Sequence, residues 1–390
     1  MSSESRRAVM QYLDRRREET VDLLQELLVR VSPSGEEQEV ARFIAGWLLD
    51  AGFADTRVDE VNNVVSRLPG SEDGFTLLYN GHIDVVPVGD RSLWPHDPLQ
   101  APVVDGKVVG RGACDMKGSV AAMMVAAGTI KKMNIPLKGN LLLTMVGREE
   151  GGQQEGTRYC IEEHGLKPDL AIIGEATNLN LCLGSRGRII VEIKVKGRSA
   201  HAANSSRGVN AILQMSKLIQ RIERMPLPEH EILGKTTQTI TVITCSPGQL
   251  NMVPDLCTIT IDRRIAPGDS LEKTRAEFEA VVEELKSGDD TFEAEVETGK
   301  YAAPGYRPPG KETVEALCSS IRSATGREPQ VTRYIFGTDG SYLAPVAGIP
   351  WFGFGPGDEA NAHTVNDHVE IEDLMAAAKA YAHFILDFLS

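Results

Sequence analysis

A histidine and an aspartate, two residue types that often bind metals, follow an apolar run of this sequence. In YNGHIDVVP (79–87), His82 and Asp84 directly follow FTLLY (75–79), which has the character of a buried strand. An imidazole and a carboxylate placed so close together suit metal binding or proton transfer when a rigid element holds them. The next question is which other side chains the fold brings to the same place.

The same arrangement recurs after other apolar runs. NLLLTMV (140–146) leads to Glu149 and Glu150, LAIIG (170–174) leads to Glu175, and IPWFGFG (349–355) leads to His363. Such runs are typical of strands buried on both faces of a parallel sheet, and ligands bind at the carboxyl ends of these strands. The segments would therefore deliver imidazoles and several carboxylates to one edge of one sheet.

This much negative charge in one cleft needs compensation. Neighbouring carboxylates repel one another unless cations lie among them. A bound metal is the simplest resolution, so the pattern predicts a metal site. A single histidine at a strand end is more often structural than a ligand, and the prediction therefore depends on the whole group.

Periodicity elsewhere in the chain predicts an α/β protein. Apolar residues recur at helical spacing over residues 6–31 and 36–51, and an alanine-rich helix is predicted at 119–132. Helical spacing returns at 314–324 and 371–389. We expect a central, mostly parallel sheet with helices on both faces.

A different pattern begins near Gly184. Alternating strand-type segments and amphipathic helices follow in the order 188–197, 209–222, 237–245, 255–264, 270–285 and 291–297. This β-α-β-β-α-β order is typical of a ferredoxin-like α+β domain. We therefore predict a domain formed by residues 1–183 and 299–390, with residues 184–298 inserted into it.

The composition disfavours several classes of partner. Asp and Glu exceed Lys and Arg by 55 to 41, which gives a formal net charge of −14, so nucleic acid would be repelled. No apolar run approaches the length of a membrane span, so no membrane partner is expected. The charged N-terminus lacks the apolar core of a signal peptide, and the six scattered cysteines form no CxxC pair. Both features favour a cytoplasmic location.

Five motifs together resemble the M20 family of metallopeptidases and deacylases. They are GHIDVVP (81–87), GRGACDMKG (110–118), REEGG (148–152), GEAT (174–177) and AHTVND (362–367). The family includes acetylornithine deacetylase, succinyl-diaminopimelate desuccinylase and glutamate carboxypeptidase. The resemblance covers nearly the whole chain and implies a zinc-exopeptidase-like catalytic domain with an inserted lid and dimerisation domain.

The resemblance implies a two-metal site. It assigns one ion to His82, Asp115 and Glu175, and the other to Asp115, Glu150 and His363, with Asp115 as the bridge. Nitrogen and carboxylate ligands suit Zn²⁺, although Co²⁺ or Mn²⁺ could substitute because affinity alone does not select the metal.

Other residues of the same motifs are expected to support the metal ligands. Asp84 would accept a hydrogen bond from the second imidazole nitrogen of His82 and fix its tautomer. The family pattern also implies a cis peptide bond between Asp115 and Met116. These expectations concern the geometry of the ligands rather than the reaction itself.

The catalytic roles are likewise implied by the resemblance. Glu149, next to the ligand Glu150, resembles the general base that takes a proton from water and passes it to the leaving amine. His201, in GRSAHAA, would reach the site of a partner subunit and donate a hydrogen bond to the oxyanion. The alternative for His201 is a purely local role in a turn. The implied reaction is hydrolysis of an amide bond.

Substrate contacts are implied for the inserted domain and for one later loop. The candidates are Asn251 in NMVP, Arg264 in DRRIAPG, and Gly337 and Thr338 in FGTDGSY (336–342). The guanidinium of Arg264 would suit a substrate carboxylate, although an ordinary surface charge is an equal alternative. A homodimer through the inserted domain is also expected.

Two residues depart from the family pattern. Arg148 stands where many relatives have an acid, and it either tunes the charge near Glu149 or points to solvent. Asp367 stands where the last motif often ends in Glu. Neither residue replaces a ligand.

Three functions remain open at this point. The first is an N-acyl-amino-acid deacylase, the second is a carboxypeptidase or dipeptidase with the same metal site, and the third is a non-catalytic metal-binding module. The presence of Glu149 beside a full ligand set argues against the third. The expected substrate is a small N-acyl amino acid or short peptide.

Overall fold

The chain divides into two structural units. The computed structural model describes residues 3–70, 74–152 and 154–390. One unit comprises Met1–Ser185, Gly305–Tyr334 and Thr338–Ser390, and the other comprises Arg186–Pro304 and Ile335–Gly337. We refer to them as the first and the second unit.

Helices occupy most of the segments with helical periodicity. In chain order they are α1 (Ser3–Asp14), α2 (Arg17–Val29), α3 (Gln38–Asp50), α4 (Gly118–Lys132), α5 (Glu155–Glu162), α6 (Ala211–Ile222), α7 (Leu271–Gly288), α8 (Lys311–Thr325), α9 (Gly340–Leu343) and α10 (Ile371–Leu389). The run at 6–31, predicted as one helix, is divided between α1 and α2. Both helices pack against α4 and α10.

Strands of both units follow the apolar and the alternating runs. In chain order they are β1 (Asp55–Val58), β2 (Val64–Leu68), β3 (Thr76–His82), β4 (Val103–Val104), β5 (Lys107–Val109), β6 (Asn140–Val146), β7 (Leu170–Ile173), β8 (Leu181–Ser185), β9 (Gly187–Lys196), β10 (Glu229–His230), β11 (Gly234–Lys235), β12 (Thr237–Ser246), β13 (Leu256–Ile265), β14 (Glu293–Ala302), β15 (Val331–Tyr334), β16 (Trp351–Gly353) and β17 (His368–Glu370).

The main sheet of the first unit is mostly parallel, as predicted. Its strand order is β1-β2-β6-β3-β7-β16-β8-β15, and the central strands β6, β3, β7 and β16 are parallel neighbours. Every residue of β6 and β7 is buried, which explains their largely apolar sequences. Helices α4 and α10 pack against each other and against β3, while α3 packs against β1 and β2.

The register of the central strands aligns their carboxyl ends. His82, the last residue of β3, is paired with Val146, the last residue of β6. Asn80 of β3 is paired with Ile173, the last residue of β7, which is in turn paired with Gly353 at the end of β16. The segments that leave these strands therefore begin at the same edge of the sheet.

The second unit has the predicted ferredoxin-like order of elements. Its strands β12-β13-β9-β14 form an antiparallel sheet, and α6 and α7 complete the β-α-β-β-α-β sequence. Residues of β9 alternate between buried and half-buried, because one face of this strand packs on the core of the unit. Strand β12 lies at the edge of the sheet and is largely exposed.

Shorter elements complete the fold. Strands β17, β5 and β4 form a small antiparallel sheet, and β10 and β11 form a hairpin in the second unit. Among the residues that the structure describes, none of the helices combines the length and the apolar character that crossing a bilayer requires.

Candidate metal centre

One group of candidate ligands gathers His82, Asp115 and Glu175. His82 ends β3, and Glu175 lies two residues beyond the end of β7. The Nε2 atom of His82 lies 2.9 Å from Oδ1 of Asp115 and 3.7 Å from Oε1 of Glu175. All three residues are buried or half-buried, so their polar atoms face one another rather than solvent.

A second group gathers Asp115, Glu150 and His363. The Nε2 atom of His363 lies 3.1 Å from Oδ2 of Asp115 and 3.0 Å from Oε2 of Glu150. His363 is the most exposed of the three, with 52% of its side chain accessible, and its φ of 61° is left-handed. The two oxygens of Asp115 thus face different imidazoles, and its carboxylate lies between the two groups.

The donor atoms of both groups fit divalent cations. Within each group, one ligand atom per residue lies within 4.8 Å of the others, and each group offers one imidazole nitrogen and two carboxylates. This combination of nitrogen and oxygen donors is the one that Zn²⁺ and similar transition metals bind in proteins. The arrangement is therefore a candidate two-metal centre.

Crowding of carboxylates shifts the pKa values of both histidines. Burial alone would lower the pKa of His82, but the carboxylates of Glu175 and Asp115 outweigh that effect and raise it well above its usual value. Hydrogen bonds to Asp115 and Glu150 raise the pKa of His363 to about 10. In both cases the negative charge of the neighbouring carboxylates stabilises the protonated imidazole.

The same crowding acts on the acids. Burial raises the pKa of Glu149 and of Glu175 well above the usual range, and neighbouring carboxylates raise both further. Burial would also raise the pKa of Asp115, but hydrogen bonds from His363 and His82 prevail and lower it. The acid between the two imidazoles is thus stabilised as an anion.

Asp84 makes contacts that differ from the expectation. The Nδ1 atom of His82 lies 3.0 Å from the main-chain carbonyl oxygen of Asp84 and 3.6 Å from its carboxylate. The carboxylate instead accepts hydrogen bonds from the N–H groups of Glu149 and Glu150, each at 3.1 Å, and from the Ser34 hydroxyl at 2.6 Å. These three donors lie closer to the carboxylate than the imidazole does.

Glu149 is close to both ligand groups without being a member of either. The residue is 7% exposed, and burial raises its pKa, while the charge of His82 lowers it and the charges of Asp115 and Glu150 raise it further. Its main chain is held by Asp84, as described above. A carboxylate placed in this way is available for proton transfer.

Two buried charged residues hold the short helical turn Ala113–Lys117, which carries Asp115. Asp367 accepts hydrogen bonds from the N–H groups of Gly112 at 2.7 Å and Cys114 at 2.9 Å. Lys117 donates to the main-chain carbonyls of Leu27 and Arg30, both at 2.9 Å. The peptide bond between Asp115 and Met116 is cis, as the family pattern implied.

Asp367 also forms a buried ion pair. Its carboxylate lies 3.1 Å from Nη1 of Arg111, and both side chains are at most 5% exposed. Sequence reasoning noted Asp367 only as a departure from the family pattern. Its position four residues after His363 means that one loop supplies both a candidate ligand and the anchor of Asp115.

His201, predicted to act in catalysis, belongs to the second unit together with Asn251 and Arg264, which were predicted to contact the substrate. His201 is exposed, and its Nδ1 accepts a hydrogen bond from the Ala203 N–H at 3.1 Å. Asn251 lies beside it, since its carbonyl accepts from the Ala202 N–H at 2.9 Å. The guanidinium of Arg264 is paired with the carboxylate of Asp262 at 2.7 Å.

The FGTDGSY loop is divided between the units. Gly337 belongs to the second unit, whereas Thr338 belongs to the first and is fully buried. Sequence reasoning missed the next residue, Asp339, which is 1% exposed and whose charge raises the pKa of Glu149. Burial raises the pKa of Asp339 itself to about 6. In the sequence, Asp339 is marked only as an acidic residue within a loop that contains glycines.

Arg148 does not reach a ligand group through its side chain. Its guanidinium pairs with Glu155 at 3.1 Å and is 40% exposed. Its backbone is left-handed, with a φ of 61°. The residue therefore shapes the turn before Glu149 through its main chain.

The segment that carries both ligand groups also matches a known family. A model of peptidase family M20/M25/M40 matches residues 78–387, which include all the candidate ligands and Glu149. The chain belongs to this family. It is therefore an M20-type hydrolase, and the candidate ligands lie in the segment that the family model covers.

Relatives of the chain extend over nearly its full length. The uncharacterized protein YgeY of Escherichia coli (strain K12) is 29% identical, with 94% of each chain covered. N-formyl-4-amino-5-aminomethyl-2-methylpyrimidine deformylase of Bacillus subtilis (strain 168) is 29% identical, with 97% of this chain and 96% of the relative covered. Succinyl-diaminopimelate desuccinylase 2 of Ruegeria sp. (strain TM1040) is 27% identical, with 94% of each covered.

A solved structure supports the fold. The aminopeptidase PepT of Bacillus cereus superposes with a TM-score of 0.77 at 22% identity, and the match covers 95% of this chain and 98% of that one. At this level of identity the likeness concerns the fold rather than the substrate.

Asp367 should be required to hold the loop of Asp115. We expect Asp367→Ala to lower the free energy of unfolding by about 3–5 kcal/mol, because it leaves the buried Arg111 charge without its partner. Urea unfolding measures the change, with Asn366→Ala, an exposed neighbour, as the control. Equal stability of the two variants would contradict the anchoring role.

Proposed function

We propose that this chain is a two-metal hydrolase that cleaves the amide bond of N-acyl amino acids, as acetylornithine deacetylase and succinyl-diaminopimelate desuccinylase do. The observation that carries the proposal is the pair of ligand groups that share Asp115, with the unligated Glu149 beside them. Relatives named as a deformylase and a desuccinylase support removal of an acyl group from nitrogen.

The two ions would be held as the family pattern implies. His82, Asp115 and Glu175 would bind one ion, and Asp115, Glu150 and His363 the other. Zn²⁺ suits these donors best, with Co²⁺ and Mn²⁺ as substitutes. When bound, such ions supply Lewis acidity, which polarises a carbonyl and acidifies water.

The protein itself supplies the proton transfer. Glu149 would accept the proton of the attacking water and later deliver it to the nitrogen of the leaving amine. The buried carboxylate of Asp84 holds the Glu149 N–H at 3.1 Å, so the base is fixed in position before substrate arrives.

Recognition of the substrate would involve the second unit. Arg264 would bind a substrate carboxylate in exchange for its present partner Asp262, and Asn251 and Gly337 would contribute further polar contacts. A carboxypeptidase or dipeptidase activity would use the same site. Hydrolysis rates for N-acetyl, N-succinyl and N-formyl amino acids, measured beside those for dipeptides, distinguish these activities.

The second unit also offers a surface for a second copy of the chain. Edge strand β12 exposes Val242 and Ile243 at 50% and 57%, and α6 exposes Leu213 at 62%. An exposed, apolar edge strand is a site at which another strand adds, and a two-fold axis would bury the same surface on both copies. We infer a homodimer that pairs through this unit.

Glu149 should be essential for turnover and dispensable for metal binding. Glu149→Gln should reduce kcat by about 10²–10⁴-fold, because the amide cannot accept the proton. The metal content, measured by elemental analysis, should remain at the two ions per chain that the two-metal proposal requires. Glu163→Gln, an exposed acid of the same unit, is the control. Near-normal turnover of Glu149→Gln with full metal content would refute the mechanism.

Asp115 should be required for both ions. Chelation should abolish hydrolysis and Zn²⁺ should restore it, whereas Asp115→Ala should lower the occupancy of both positions because it removes the shared ligand. Elemental analysis of Asp115→Ala, beside the exposed-site control Asp290→Ala, tests this. Full double occupancy of Asp115→Ala would exclude the bridging role.

His201 should act on the site of the partner subunit. Each chain of a mixed dimer of His201→Ala and Glu149→Gln carries one lesion, so action across the interface leaves one site of that dimer intact. With random assortment, about a quarter of all sites should be active after co-expression. If His201 acts within its own chain, co-expression should recover no activity above that of the separate variants.

A further inference from the structure

A buried carboxylate outside both ligand groups lies against the turn that carries Glu149 and Glu150. We propose that this residue, Glu37, is a positioning residue that holds the turn in the conformation that presents the base and the ligand. The effect of Glu37 on metal binding and catalysis rests on the proposed function. The contacts of Glu37 with the turn are independent of that function. Glu37 is fully buried, although it precedes α3 in a segment that is otherwise largely exposed.

The contacts of Glu37 cross from its own segment to the turn. Its Oε1 accepts hydrogen bonds from the N–H of Gly35 at 2.6 Å and from the N–H of Arg148 at 3.1 Å. The carboxyl carbon would lie 2.8 Å from a Cβ atom added to Gly147, so the carboxylate fills the space that a side chain would need there. The acid and the glycine therefore fit each other at the start of the turn.

Helix capping does not account for this residue. An acid before a helix often accepts a hydrogen bond from the first N–H groups of that helix. Glu37 makes no such side-chain bond with α3. Its carboxylate reaches instead to a residue 111 positions away in the sequence.

Glu37 and Asp84 together hold three successive N–H groups. Glu37 accepts from Arg148, while Asp84 accepts from Glu149 and Glu150, each at 3.1 Å. Ser34, from the same loop that carries Glu37, donates its hydroxyl to Asp84 at 2.6 Å. A chain of buried acceptors of this kind leaves the turn few alternative conformations.

Backbone strain gives Glu37 a defined task. Arg148 has a φ of 61°, and this left-handed conformation is unfavourable for a residue other than glycine. The hydrogen bond to its N–H and the packing against Gly147 stabilise that conformation. Without them, the turn would be free to relax, and Glu149 and Glu150 would move with it.

The two ligand groups should differ in their dependence on Glu37. Glu150 is carried by the turn and belongs to the group with His363, whereas His82 and Glu175 lie on other segments. Loss of Glu37 should therefore weaken one cation position and spare the other. A general loss of stability would instead weaken both cation positions.

Hydrogen exchange in the metal-free protein tests the contact directly. We expect Glu37→Ala to increase amide exchange in peptides covering residues 147–152, without a change in the buried strand β7. Glu36→Ala, an exposed neighbour, should change neither segment. Glu37→Gln should restore protection, because its amide oxygen still accepts both hydrogen bonds.

Titration of Zn²⁺ into the same proteins measures the consequence. In Glu37→Ala, one of two binding events should weaken by roughly 10–100-fold, and Glu37→Gln should recover the affinity. Unchanged exchange at residues 147–152, or an equal increase throughout the chain, would overturn the proposal. A local increase in exchange with both Zn²⁺ affinities unchanged would also overturn it. If the wild type binds no Zn²⁺, the two-metal function fails, whereas the exchange data still decide the role of Glu37.

Discussion

The carboxylate of Asp115 lies between two imidazoles, and this arrangement constrains how the segments of the first unit must meet. One oxygen faces His82 at the end of β3, and the other faces His363, which follows Asp115 by 248 positions in the sequence. A bridge of this kind needs each segment to arrive in one place with little freedom. The aligned ends of the central parallel strands meet that need.

Buried polar groups, rather than apolar packing, carry this precision beyond the strand ends. Asp367 holds the loop of Asp115, Asp84 holds the N–H groups of Glu149 and Glu150, and Lys117 ties the same region to the end of α2. Each group is polar and buried, so each would be costly without its partners. The site is therefore surrounded by interactions that favour one loop conformation over others.

The sequence was sufficient to predict those elements that have a recognisable pattern in their own residues. The uniform burial of β6 and β7 makes them largely apolar, and the same pattern led to Glu149, Glu150 and Glu175. Strands such as β15 are short and partly exposed, so no pattern marked them. The partners of Asp84 and Glu37 were also beyond prediction, because they depend on how separate loops meet in three dimensions. An acid near a helix start has the same local signature whether it caps that helix or binds a distant turn.

The pairing of β3 on both sides has a consequence for how such enzymes diversify. A shift of one residue in this strand would turn His82 to the opposite face of the sheet, because side chains alternate along a strand. Insertions and deletions are therefore tolerable only beyond the strand ends, in loops such as 88–102. The residues of the reacting centre and the residues that select the substrate can therefore change independently. New substrates become accessible through changes of loop length, while the reacting centre keeps its geometry.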